Sequence, residues 1–295
     1  MKATSLKVLA IILGATCALT SCGDSGTAPK SASGDGFFQD PVPIGVKYDQ
    51  PGFGMDYNGK FSGFDIDLAE FIARELKFAP DTFIQIPNDS NRASGLGKNY
   101  RMAIATYTIS HVRKVGGDGE PPVDFVGPYL QTPAALLVRK NSRYAKKNPD
   151  LSGAKVCTLP GSTPADIKLP KDIIPVQGVV NYSDCVKDIQ NEDADVMLTD
   201  ALIEYGYADD SADYPGLAVE PTQYGQTYSY GVAVPHGEVA ACQKLISVME
   251  NFLDSPNWDT YFTGEFEKVV RREPTKWKQK YKPLRSEVSG QSNCQ

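Results

Sequence analysis

Met102-Ala103-Ile104-Ala105-Thr106-Tyr107-Thr108-Ile109-Ser110-His111-Val112-Arg113 begins apolar and ends in hydroxyls and a cation. Residues 102–106 lack the polar alternation of a half-exposed strand, which is the pattern of a strand covered on both faces in a parallel sheet. Upstream, 42–48 reads as a strand entering a Gly- and Pro-rich loop. Phe64, Leu68, Phe71, Ile72 and Leu76 then recur at the spacing of an amphipathic helix over 64–76. With a further strand at 82–86 the order is βαβ, so the fold class is α/β.

The same alternation restarts downstream. Strands are expected at 134–139 and 155–159, a helix from Pro164, a strand near 173–177, a helix from Ser183 and an apolar strand at 195–198. A long strand at 228–235 and a helix over 238–253 follow, the latter with Val239, Cys242, Leu245, Ile246, Met249, Phe252 and Leu253 on one face. Two α/β series joined by extended crossings near 130–138 and 222–230 predict two lobes on a hinge, each a mainly parallel sheet flanked by helices. The expected division is lobe 1 from 37–130 plus 228–282, lobe 2 from 131–227, and a polar tail at 283–295.

The first residues address the compartment. Lys2 and Lys7 make a basic start, 8–18 is apolar, and Leu19-Thr20-Ser21-Cys22 closes it. The run is shorter than the roughly 20 residues a spanning helix needs, so 1–21 reads as a secretory signal. Its ending resembles a bacterial lipobox, which implies lipidation of Cys22 as the new N-terminus; an ordinary cleavage elsewhere would leave Cys22 a free thiol. Residues 22–36 are small and polar and read as a flexible tether. The chain carries −6, and −8 once Lys2 and Lys7 leave with the signal, from 28 basic and 36 acidic residues. Such a charge disfavours nucleic acid and anionic headgroups. Cys157, Cys185, Cys242 and Cys294 allow three pairings. Cys157 with Cys185 is preferred for its modest loop, and Cys242 with Cys294 would tie the tail to a helix.

Three segments carry candidate chemistry. Thr108 and Arg113 follow a strand's carboxyl end, where open α/β sheets bind ligands, and the planar arginine fork matches a carboxylate; Arg113 could equally be a solvated residue at a helix start. Gly161-Ser162-Thr163-Pro164-Ala165-Asp166 places a cap at Thr163 and proline at the first helical position, which would offer free N–H groups to an anion. Val196-Met197-Leu198-Thr199-Asp200 ends a strand in a carboxylate able to receive an ammonium group.

These segments, with Gly63-Phe64-Asp65-Ile66-Asp67-Leu68-Ala69 and Asp124-Phe125-Val126-Gly127-Pro128-Tyr129, closely resemble the family 3 extracellular solute-binding proteins of amino-acid ABC importers, from about residue 43 to 266. The resemblance implies a two-lobed periplasmic-binding-protein-like (type II) clamp. In it Arg113 and Thr108 would hold the ligand's α-carboxylate with backbone N–H groups at Ser162 and Thr163, and Asp200 its α-ammonium. Val46-Lys47-Tyr48-Asp49-Gln50-Pro51-Gly52 looks like the glutamate-binding subgroup of actinobacteria. Lys47, or Arg92 in Ser90-Asn91-Arg92, would then complement a second carboxylate, and Tyr107 would narrow the ligand range. A glycine- and proline-rich loop at 115–122 is longer than the family's. The implied protein is a monomeric lipoprotein on the outer face of the membrane that passes glutamate, aspartate or glutamine to permease subunits, with no cofactor or metal. A sensor presenting the same ligand to a membrane kinase uses the same cleft. An enzyme of dehydratase type is the remote alternative, since His111 and His236 are the only histidines and no nucleophile motif appears.

Overall fold

The computed structural model describes residues 34–39, 41–79, 82–117, 119–208 and 213–295. The signal peptide, Cys22 and the tether as far as residue 33 lie outside them. In chain order the strands are β1 (Ile44–Val46), β2 (Asp49–Gln50), β3 (Gly54–Tyr57), β4 (Lys60–Ser62), β5 (Phe83–Gln85), β6 (Met102–Ile104), β7 (Val123–Arg139), β8 (Lys155–Cys157), β9 (Ile174–Pro175), β10 (Val196–Asp200) and β11 (Leu217–Pro235). Eight of them form one sheet in the order β5-β1-β6-β11-β7-β10-β8-β9, while β2, β3 and β4 make a small antiparallel sheet. β1 is parallel to β5 and β6 at one end, and β8 to β9 and β10 at the other.

The two ends are joined by strands longer than the sequence pattern suggests. β7 and β11 run antiparallel from Leu217 opposite Arg139 to Pro235 opposite Val123, with register shifts near Tyr224 and between Tyr230 and Val232. The expected strands at 134–139 and 228–235 are therefore portions of continuous 17- and 19-residue strands. β11 meets β6 at one end, and β7 meets β10 at the other. Because β6 lies between parallel β1 and antiparallel β11, it is buried on both faces as its composition predicts, in a mixed rather than purely parallel setting.

Helices Gly34–Phe37 (α1) and Phe64–Leu76 (α2) come first. The second matches its expected bounds, with Phe64, Leu68, Phe71 and Ile72 buried and Lys77 closing it in the left-handed conformation. Gly63 before it has φ +122°, and a Cβ there would lie 2.3 Å from the Phe53 carbonyl oxygen, so no other residue fits without moving the chain. Phe64 packs against Tyr129 and Trp258; burying a side chain of this size stabilises by about 1.5–3 kcal/mol. Val239–Asp254 forms a helix as expected, with Leu245, Met249 and Phe252 buried.

One expected helix does not form. Thr163–Asp166 is a single 3-10 turn, preceded by Ser162 in extended conformation with no side-chain cap bond. Ile167 leaves the turn in extended conformation. Both preferred disulfides are formed, Cys157–Cys185 and Cys242–Cys294. The stretch 283–295 carries a helix at Arg285–Gln291 with Val288 buried. Its end lies along β7, where Asn293 N–H donates to the Phe125 carbonyl and Asn293 Oδ1 accepts the Phe125 N–H, both at 3.0 Å.

Candidate functional site

The turn after β6 is set by a buried acid. Asp65, on the first turn of α2, is fully buried, and its Oδ2 accepts the Thr106 N–H at 2.9 Å while Oδ1 accepts the Tyr129 hydroxyl at 2.8 Å. Burial outweighs these two bonds and pushes its carboxyl up to about 7. Thr106 has φ +45°, a left-handed conformation costly for a β-branched residue. The Asp65 bond thus braces the bend that delivers Tyr107, Thr108 and Arg113. Beyond the bend, the Ile109 and Gly231 N–H groups donate to Ser229 and Tyr107 carbonyls, laying the segment along β11.

Arg113 sits on the short helix His111–Val115, whose first turn is capped by Ser110 Oγ accepting the Arg113 N–H. Its Nη1 donates to the Thr108 carbonyl (2.8 Å) and its Nη2 to the Gly161 carbonyl (2.7 Å). Burial and the nearby Arg92 lower its pKa to about 10, so it remains cationic at neutral pH. The Tyr107 ring lies between two guanidinium groups, 4.3 Å from Arg92 and 4.8 Å from Arg113, a stacked cation–π arrangement. Gly161 approaches so closely that a Cβ there would come 2.7 Å from Ser90 Oγ.

A cavity of about 440 Å³ opens here. Arg113, Tyr107, Ser162 and Thr163 line it, together with Asp89, Asp166 and the loop residues Gly116, Gly117, Glu120 and Pro121. Residues 116, 117, 120 and 121 of the long glycine- and proline-rich loop thus form part of the wall, and Glu120 Oε2 fastens it by accepting the Ser94 N–H at 3.0 Å. Asp200 ends β10 beside the Thr163–Asp166 turn, which packs on that strand. It is 3 % exposed, and its Oδ2 accepts the Tyr230 hydroxyl at 2.6 Å. Burial pushes its carboxyl up to about 7, against the Tyr230 bond and the more distant pull of Arg92 and Arg113. Asp200 Oδ1 and Ser162 Oγ are buried with no hydrogen-bond partner among the described residues. Unsatisfied buried oxygens of this kind carry a desolvation cost that a ligand can remove.

Lys47 and Arg92 are arranged otherwise. Lys47 is fully buried and, like Asp200 and Thr108, off the cavity wall, with Nζ 3.2 Å from Asp89 Oδ1. Arg92 donates to the carbonyls of Ala105 (3.1 Å) and Thr106 (3.3 Å), and its Nη2 lies 3.6 Å from Asp89 Oδ2. Tyr182 also donates to Asp89 Oδ2, at 3.0 Å. Burial opposes charge on Asp89, but Arg92, Lys47 and Tyr182 outweigh it and hold its carboxyl down at about 2. Asp89 was not picked out from the sequence, although an acid three residues before Arg92 is the spacing of a local ion pair. Tyr182 and Tyr230 were missed too, since a buried tyrosine reads as core until its hydroxyl's partner is known. Among the described residues, no group of three His, Cys, Asp or Glu stands together as a metal site, and no helix is long and apolar enough to cross a membrane.

An arginine fork and a buried carboxylate beside a cavity at strand ends, on a sheet threaded by two long strands, define a small-molecule receptor of the type II periplasmic-binding class. Residues 42–280 match the bacterial extracellular solute-binding proteins, family 3, and the chain belongs to that family. It is 31 % identical to the glutamate-binding protein GluB of Corynebacterium efficiens over 91 % of this chain and 92 % of that one. It is 26 % identical to the ABC transporter glutamine-binding protein GlnH of Bacillus subtilis, over 91 % and 96 %. Among solved structures, a mutant of ArgBP from T. maritima superposes with a TM-score of 0.66 at 25 % identity, covering 78 % of this chain and 96 % of that one.

Proposed function

We propose that the protein is an extracytoplasmic lipoprotein, anchored through Cys22, that closes two lobes around a polar amino acid and delivers it to an ABC importer. The lobes are 37–130 with 228–282, and 131–227, hinged where β7 and β11 pass between them. One observation carries this reading: Arg113 and the unpartnered Oδ1 of Asp200 offer opposite charges from the two ends of the sheet. A zwitterion supplies a carboxylate for the first and an ammonium for the second, with Ser162 Oγ available to either. Each contact would be a charge-assisted hydrogen bond, the strong kind. Direct bonds already link the two sides, Arg113 to Gly161 and Ser90 Oγ to the Pro160 carbonyl at 3.2 Å, as domain closure requires.

The ligand is a polar amino acid of the size of glutamate or its amide, a reading supported by the relatives that bind these two. Among the described residues, nothing in the site pairs a nucleophile with a base. A thermal-shift panel of the twenty amino acids on the purified protein tests this. A ligand at 1,000 times its Kd adds about 4 kcal/mol, and a shift with glutamate, glutamine or both is expected. No shift with any of the twenty overturns the reading.

A further inference from the structure

If the cleft takes an amino acid, as proposed above, its inner wall decides what charge the side chain carries. The wall presents Asp89, not Lys47. Asp89 is 4 % exposed, and both its oxygens are engaged by the groups a ligand carboxylate would need: Lys47, Tyr182 and, at longer range, Arg92. Asp49 adds a second buried acid, 4 % exposed, in electrostatic contact with Lys47, with Oδ1 unpartnered and Oδ2 accepting the Ser183 N–H. Two cations thus face two carboxyl groups, and no positive charge is left over.

We infer that Asp89 stands in the place of a ligand's second carboxylate, and that it makes this protein select an uncharged amide side chain, glutamine, over glutamate. A glutamate side chain would be desolvated beside a carboxylate whose cations are already taken, which is the repulsive element that specificity commonly needs. An amide meets the same carboxylate as a donor. A carboxylate can accept about four hydrogen bonds, so Asp89 retains capacity after Lys47 and Tyr182.

The experiment is isothermal titration of the purified protein with glutamine and with glutamate near neutral pH, in the wild type and in Asp89→Asn. Wild type is expected to bind glutamine at least about tenfold more tightly, the ratio that one modest electrostatic contact supplies. In Asp89→Asn the ratio should close or reverse, because Lys47 and Arg92 regain a spare positive charge. Glutamate bound as tightly as glutamine by the wild type overturns the inference without recourse to any variant. An unchanged ratio in an Asp89→Asn protein that melts cooperatively overturns it too. A wild-type preference for glutamine that is lost in Asp89→Asn is the supporting pattern, whereas failure of all twenty amino acids removes the amino-acid reading itself and this inference with it.

Discussion

Asp200 near Arg113 and Asp89 near Lys47 are both buried carboxyl groups beside cations and differ in how far their oxygens are already paired. At the first, Asp200 Oδ1 and Ser162 Oγ are buried without partners, and the Asp200 carboxyl is pushed up to about 7. At the second, Asp89 is bonded on both oxygens and held down at about 2. Charge alone therefore does not mark a ligand contact. On the proposed reading, Asp200 Oδ1 stands apart because it lies unsatisfied beside the cavity, where a ligand could relieve its desolvation cost, whereas the satisfied Asp89 contributes to folding.

The widest separation between the two ends should come from Lys47→Met. It leaves Asp89 buried with only Arg92 and Tyr182, and breaking a buried pair costs about 3–5 kcal/mol; thermal melting should fall accordingly, with a smaller change in glutamine affinity. A large loss of affinity with unchanged melting would put Lys47 in the ligand site and break the contrast. Arg113→Ala should do the reverse. Truncating one partner of a buried charge pair costs about 2–5 kcal/mol of binding, so Kd should rise about thirtyfold or more while the half-buried position keeps the melting loss small. Wild-type affinity in this variant would remove Arg113 from the site.

Asp65→Ala sharpens the comparison from outside the cavity. It frees the Thr106 N–H and the Tyr129 hydroxyl, each a buried donor whose orphaning costs about 1–3 kcal/mol. Both stability and affinity should drop together, since the bend that presents Arg113 is loosened; a stability loss with intact affinity would limit Asp65 to the core.

The smallest effect is in pH. On the proposed reading the ligand's ammonium needs Asp200 ionised, and burial pushes that carboxyl up to about 7 in the free protein. Affinity should weaken about tenfold from pH 8 to pH 6, with a proton released on binding at the lower pH. Stability follows opposite signs at the two ends. Asp200, with its folded value raised, contributes stability that is present in acid and lost as pH rises through about 7. Asp89, with its value depressed, contributes stability present above the ordinary carboxylate range and lost as pH falls toward about 2. A flat affinity between pH 6 and 8, by titration calorimetry, would disconnect Asp200 from the ammonium.

Periodicity made the helix Phe64–Leu76, the helix Val239–Asp254 and the buried strand Met102–Ile104 legible, because each buries one face or two along its own length. The Cys157–Cys185 pair was favoured by its modest loop, and Cys242–Cys294 followed as the pair that remained. Less visible was the union of 124–129 with 134–139 into one strand, since Pro128 and Pro133 punctuate a run whose neighbours on both sides supply its pairing. The helix expected from Pro164 stopped after one 3-10 turn without the side-chain cap bond that its sequence signalled.

By itself the sequence determined the α/β class, the order of the elements, the overall negative charge and the residue types that could meet a zwitterion. These follow from local spacing and composition, which act along the chain. Only the tertiary structure decided which of those charges are spent. Asp89 lies 42 residues from Lys47 and 93 from Tyr182, and Tyr230 lies 30 from Asp200. Whether such groups satisfy one another depends on where the sheet brings them, and burial then turns each pairing, or its absence, into a difference of several pH units between two aspartates of the same site.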